Sequence, residues 1–349
     1  MSVLSALRHP IVAAPMAGGP STPDLVSAVS AAGGLGVLAA GMIDTGRLVA
    51  DIAAVRARTD RPFGVNVFLP GDGPVDEAAV LAYGRRLAPQ AEAFGVALGD
   101  PVGGDDAYPE KLAALLADPV PVVSFAFGLP DRAAVTALRE RGTEVWATVT
   151  RPDAATAAVD LGVDAVVVQG TEAGGHRGGM PDDDDYALLP LLRLAATGCD
   201  RPLVAAGGIA DGPALAAVLT AGAVAAQVGT AFLRCPEAGT SPVHRAAVAG
   251  VAPTALTRAY TGKRARGVVN DFLRTHDAQA PAGYPQVLHL TRPLLAAARA
   301  AGDASVPSLW AGQAHPLARE VPAAELVAEL SAAARRALAT AAERAARWG

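Results

Sequence analysis

Leu203-Val204-Ala205-Ala206-Gly207-Gly208-Ile209-Ala210-Asp211-Gly212 runs on through a helical segment to Ala225-Ala226-Gln227-Val228-Gly229-Thr230. Each end of this stretch starts as a short apolar run without polar alternation, as a strand buried on both faces requires, and closes on glycine. Between them, Gly212–Ala221 is rich in helix formers, with Asp211 where an N-cap belongs and Gly222 where a helix stops. Strand, glycine turn, capped helix, strand is one step of a parallel β/α repeat.

The same alternation extends upstream. The apolar runs predict eight strands: Ile11–Ala17, Gly36–Ala40, Phe63–Leu69, Val120–Phe127, Glu144–Val149, Ala165–Gln169, Leu203–Ala206 and Ala225–Val228. Amphipathic stretches such as Asp24–Ala32 and Asp131–Arg141 lie between them, Asp24 reading as an N-cap and Gly33, Gly142 and Gly162 as stops. Eight strands predict an α/β protein of the (β/α)8 TIM-barrel class; an open doubly wound sheet has the same element order, so the count alone leaves it standing. The regular order ends near Phe232. Residues 235–316 are punctuated by proline and glycine and are read as a smaller, mainly helical inserted lid, with 1–234 and 317–349 forming the barrel. The last stretch, Ala323–Trp348, reads as one helix returning to it.

The 349 residues are 51% hydrophobic and 18% charged, enough for a large core and too apolar for long disorder. No apolar run approaches the roughly 18–20 residues of a spanning helix, and the start carries no secretory pattern, so a cytoplasmic protein without a membrane partner is expected. The net charge of −5 disfavours nucleic acid. Cys199 and Cys235 have neither disulfide nor metal spacing.

In a barrel the working residues come from the loops after the strands. Here these are Ala14-Pro15-Met16-Ala17-Gly18-Gly19-Pro20, a small-residue turn that admits a flat ligand; Asn66, a lone amide in an apolar run; and Gln169-Gly170-Thr171-Glu172-Ala173-Gly174-Gly175-His176-Arg177-Gly178-Gly179. Gly207-Gly208 and Gly229-Thr230 follow the last two strands. The last two loops offer backbone N–H groups to a phosphate, the alternative being that the glycines serve only tight turns. His176, among five glycines on its loop, can reach a ligand above the barrel, the alternative being a solvent-facing side chain. His9, His244, His276, His289 and His315 lack such a setting and read as structural or surface.

Three signals carry less than they suggest. Gly34-Leu35-Gly36 precedes a strand, where a dinucleotide fingerprint would follow one. The contiguous acids Asp182–Asp185 cannot converge on one metal ion and read as a solvated loop or helix start. Lys263-Arg264-Ala265-Arg266 is a short basic patch in an acidic protein.

Taken together these residues resemble the nitronate monooxygenases, formerly 2-nitropropane dioxygenases, over nearly the whole chain. The resemblance rests on Ala14–Gly19, Ala31–Gly36, Gly64–Phe68, Gln169–Gly178, Tyr260–Gly267, Leu309–Gln313 and the two glycine loops, the Gln169–Gly178 segment being the most specific. It implies an FMN-dependent barrel with a smaller helical domain, a small nitro compound or nitronate and dioxygen as partners, and a monomer or homodimer. By position, it places Pro15, Met16 and Asn66 against the flavin and Gln169 and Gly174 near its ring and ribityl chain. Gly207, Gly208, Gln227, Gly229 and Thr230 would surround the phosphate, and His176 stands for the catalytic histidine. The sequence departs from the family at Ala126, where a histidine is expected, and at Leu288 and Arg292, where a tyrosine and a lysine follow Tyr284. Ala126, Tyr284 and Leu288 therefore mark an altered substrate pocket. The rival expectations are an FMN barrel reduced by NAD(P)H, of the enoyl-acyl-carrier-protein or quinone reductase type, and a diverged flavoprotein with another substrate.

Overall fold

The computed structural model describes residues 2–71 and 73–348. Eight parallel strands form one sheet: β1 (Ile11–Ala13), β2 (Gly36–Ala39), β3 (Phe63–Phe68), β4 (Val122–Ala126), β5 (Glu144–Val149), β6 (Ala165–Gln169), β8 (Leu203–Ala206) and β9 (Ala225–Val228). Their order is β1-β9-β8-β6-β5-β4-β3-β2. The two outermost strands meet through a parallel bridge from Val12 to Leu35, where Ala13 N–H donates to the Leu35 carbonyl (2.8 Å) and Leu35 N–H to that of Ile11 (2.9 Å). The sheet therefore closes, and the open doubly wound alternative is excluded.

The strand period of two builds the interior in layers. Val12, Val37, Val122, Trp146, Val167, Val204 and Ala225 fill the lower barrel. The short helix Val3–Ala6 plugs this floor, with Val3, Leu4 and Leu7 packed against it and the Val3 N–H donating to Glu144 Oε1 (2.6 Å). Two residues further along their strands, Ser124, Thr148, Gln169 and Gln227 stand one layer higher, Ser124 in register with Asn66. The barrel is thus apolar below and polar above, and the polar layer becomes the floor of a cavity. Outside, the strands bury their other face against the helices; the final helix, Ala323–Ala345, packs on Pro23–Ala32 and Gly212–Thr220 through Leu326, Val327, Leu330 and Ala334.

Above the mouth, a second core joins Val80, Tyr83 and Leu87 of the helix Glu77–Ala93 to Tyr260, Phe272, Val287, Leu290 and Leu294. This packing unit draws on a connection between β3 and β4 as well as on residues 235–316. It is not purely helical. β10 (Thr254–Thr257) pairs antiparallel with β11 (Ala265–Val268), and β11 with the two-residue β7 (Gly175–His176).

Several local expectations shift. Thr22, not Asp24, caps the second helix, its hydroxyl accepting from Leu25 N–H, because Pro23 takes the first helical position. The first strand ends at Ala13, short of the expected Ala17, because Pro15 has no N–H for a ladder. β4 starts after Pro121 and stops before Phe127, whose φ of +74° leaves the extended region. The final helix ends at Ala345, short of Trp348. Gly33 ends its helix in the left-handed conformation (φ +97°), which a side chain would strain.

Candidate active site

A cavity of about 760 Å³ opens above the polar layer, within the size range of cofactor and substrate pockets. Pro15, Met16, Asn66, Ala126, Gln169, Gly174, His176, Gly207, Gly208, Gln227, Gly229, Thr230, Tyr284 and Leu288 all line it. Residues up to 273 positions apart in sequence are brought to one space by the closing of the barrel and the second core above it.

Its walls differ in chemistry. On one side, the loops after β8 and β9 adjoin because their strands are neighbours, Ala206 standing beside Gln227. Among the described residues, the backbone N–H groups of Gly207, Gly208, Gly229 and Thr230 find no acceptor in the protein. The helix that follows Gly207-Gly208 is capped by Asp211, whose carboxylate accepts from Ala214 N–H (2.8 Å). Four unengaged donors beside a helix N-terminus suit an anion, a phosphate above all.

His176 lines the same cavity. It lies in β7 rather than on a free loop, as the glycine-rich sequence suggested. Its strand is clamped twice. Ala265 of β11 pairs with His176, and Gln169 spans the turn, donating from Nε2 to the His176 carbonyl (3.1 Å) and accepting from Gly178 N–H (2.8 Å). A side chain at Gly174 would come within 2.5 Å of Gly312 N, so the glycine permits a close backbone approach. The imidazole touches the rings of Phe127, Tyr284 and Trp310, with centroids 5.6, 5.9 and 5.4 Å away. Its Nε2 lies 2.9 Å from Thr261 Oγ1. Burial, and secondarily the Lys263 cation, push its pKa down to about 3 against a smaller opposing pull from Asp182, so the ring is neutral at ordinary pH.

Lys263 is itself buried at the back of this wall. Its ammonium donates to the Gly179 carbonyl (3.1 Å), sits 3.0 Å from Met180 Sδ and lies 4.8 Å above the Phe127 ring. Burial lowers its pKa to about 8, the nearby Asp182 carboxylate acting the other way.

Two expectations made on charge alone are corrected here. Asp182–Asp185 is not simply a solvated loop: Asp182 pairs with Arg258 (2.7 Å) and accepts from Arg264 N–H (2.7 Å), while Asp184 is buried against Arg177 and Thr150. Lys263–Arg266 is no surface patch; its first and last residues are 4% and 6% exposed, Lys263 and Arg264 meet those acids, and Ala265 and Arg266 open β11. Alternating charges on two distant segments zip β7 into place. His244, read as structural or surface, lines the cavity and bonds the Trp310 carbonyl (2.7 Å). His315 is buried between the Val248 and Ala252 carbonyls.

Sequence reasoning assigned no role to Phe127, Thr261 or Trp310. The last two stand in segments that carry the family resemblance, but nothing in their spacing points at His176. At the positions read as departing from the family, the small Ala126 packs with Phe68 and Phe127, and Leu288 and Arg292 line the cavity, as Tyr284 does.

A family model described as nitronate monooxygenase matches residues 1–333. The chain is 42% identical over 345 residues to a nitronate monooxygenase of Pseudomonas aeruginosa, covering 94% of this chain and 96% of that protein. It is 41% identical over 339 residues to one of Paraburkholderia phytofirmans, covering 94% and 92%. Among solved structures it is similar to a nitroalkane oxidase from Streptomyces ansochromogenes, with a TM-score of 0.94 and 49% identity over 97% of this chain and 99% of that one.

Proposed function

The chain belongs to the nitronate monooxygenase family, an oxidoreductase family that depends on flavin, and from that premise we propose that it oxidises nitronates, and the nitroalkanes that give rise to them, to carbonyl compounds and nitrite with FMN and dioxygen. The observation that carries this reading is a neutral imidazole in the wall of a cavity that four free backbone donors also line. The donor set fits the phosphate of FMN, and the slot between Met16, Asn66, Gln169 and Gly174 fits a flat ring. FMN, when bound, supplies the electron chemistry with dioxygen that no side chain here can provide.

The protein's own part is binding, orientation and proton handling. Gly207, Gly208, Gly229 and Thr230 hold the phosphate, and Gln227 stands beside them. Asn66 keeps its amide nitrogen on Ser124 Oγ (2.9 Å) and carbonyl (3.2 Å), so its amide oxygen is left for a ring N–H. Phe127, Tyr284 and Trp310 exclude water from the space around His176. A nitroalkane α-carbon is acidic because the nitro group delocalises the carbanion. His176 takes that proton, and the C–H electron pair moves into the nitro group to give the nitronate. Because burial weakens this imidazole as a base, a nitronate supplied ready-made is turned over faster than its parent nitroalkane.

Replacement of His176 by Asn tests the assignment. The variant is expected to keep its flavin and to lose about 10²–10⁴-fold in kcat/KM on a nitroalkane, with a smaller loss on the nitronate. Equal losses on both substrates, or undiminished nitroalkane turnover, would show that His176 is not the base.

A further inference from the structure

Among the described residues the His176 imidazole has a single polar side-chain partner, the Thr261 hydroxyl, and the surroundings of that hydroxyl determine which ring nitrogen carries the proton. A threonine hydroxyl has one proton to give and two lone pairs to accept with. Around Thr261 Oγ1 stand three groups: the Lys263 N–H (3.4 Å), the Lys263 carbonyl (3.2 Å) and His176 Nε2 (2.9 Å). The N–H can only donate and the carbonyl can only accept. Thr261 and Lys263 are 3% and 4% exposed, and among the described residues no other donor reaches that carbonyl.

If the hydroxyl proton goes to the carbonyl, its lone pairs accept from the Lys263 N–H and from an Nε2–H, and every group is satisfied. If the proton went to Nε2 instead, a buried carbonyl would be orphaned, an arrangement folded proteins avoid. The three aromatic rings around the imidazole hold its plane, so the ring cannot turn over to exchange its nitrogens without displacing them. Nδ1 has no protein partner among the described residues, and the residue lines the cavity.

We propose that Thr261 is a positioning residue that fixes the proton of His176 on Nε2, so that Nδ1 is the atom that receives the substrate proton. On transfer, Nδ1 gains the proton while the C–H electron pair passes to the nitro group, and Thr261 goes on accepting from Nε2–H in the imidazolium. The catalytic part of this inference rests on the proposed nitronate chemistry; the tautomer does not.

The test is nitrogen-15 NMR of the histidine ring in the purified protein, with the His176 signals assigned by their loss in His176→Asn. Nδ1 should resonate as an unprotonated, pyridine-type nitrogen and Nε2 as a protonated, pyrrole-type one. Thr261→Val should move both signals toward a mixture of tautomers and lower kcat/KM on a nitroalkane by about tenfold, a fraction of a general base's contribution. Thr261→Ser, which restores the hydroxyl, should recover both the spectrum and most of the rate. A protonated Nδ1 in the wild type, or unchanged ring signals in Thr261→Val, overturns the inference. An inactive protein with the expected tautomer would sink the functional reading and leave this one in place; an active protein with the opposite tautomer would do the reverse.

Discussion

His176 carries two facts that pull in different directions. Its position among glycines marks it in the sequence as a residue free to reach a ligand, while its half-buried place among aromatic rings and the nearby Lys263 cation make it a weak, neutral base. The pH dependence follows. A histidine near its usual value of about 6.5 would lose its basic form as pH falls through that value. With the folded pKa down at about 3, the basic form persists far below it. The account predicts that kcat/KM on a nitroalkane stays level between about pH 7 and pH 5. A fall to half near pH 6.5 would show that the imidazole titrates normally and is not enclosed as described. At this scale the sequence was informative where glycines gather in loops after strands, as at His176, Gly207 and Gly229, which line one cavity. It was silent where the partner is ordinary and remote, as with Thr261, which lies 85 residues further on and looks like any other threonine.

The element that matters most is the shortest, the two residues of β7. Its place depends on cross-links from β11, from Gln169 and from the Arg177–Asp184 pair, whose side chains are 1% and 2% exposed. Removing one member of such a pair leaves the other charged and unpaired in the interior, which costs about 3–5 kcal/mol. Asp184→Asn should therefore lower stability by about that amount in urea unfolding. Arg47→Ala, which removes a surface pair with Asp51, should change it by less than about 1 kcal/mol. Similar effects from the two would mean that the buried pair does not hold β7. The eight barrel strands were legible because each is a short, bulky, nearly unbroken apolar run, as burial on both faces demands. β7, β10 and β11 were not. β7 is written as glycine and histidine and β11 as Ala-Arg-Gly-Val, sequences whose strand character comes from the strands they pair with above the mouth. The helix Glu77–Ala93 was missed as part of the upper core because its partners Tyr260 and Leu290 lie in segments far along the chain, a relation that local periodicity does not encode.

For the molecule as a whole, barrel closure and a second core above it produce one cavity with a wall of unengaged backbone donors and an imidazole wall. The loops after the neighbouring strands β8 and β9 supply the first, while β7, Tyr284 and Trp310, well separated in sequence, supply the second. The family relationship extends over nearly the whole length, and Ala126, Leu288 and Arg292, where the sequence was read as departing from the family, line the same cavity. Flavin binding and reaction with a nitronate are thus expected to survive even where substrate preference has moved. An absorbance spectrum of the purified protein, repeated in the absence of oxygen after addition of an alkyl nitronate, tests this most directly. The account predicts a flavin spectrum at one cofactor per chain that changes within a turnover on mixing and recovers when air is admitted. A protein that purifies without colour and takes up no FMN, or one whose flavin spectrum is indifferent to nitronate, would contradict it.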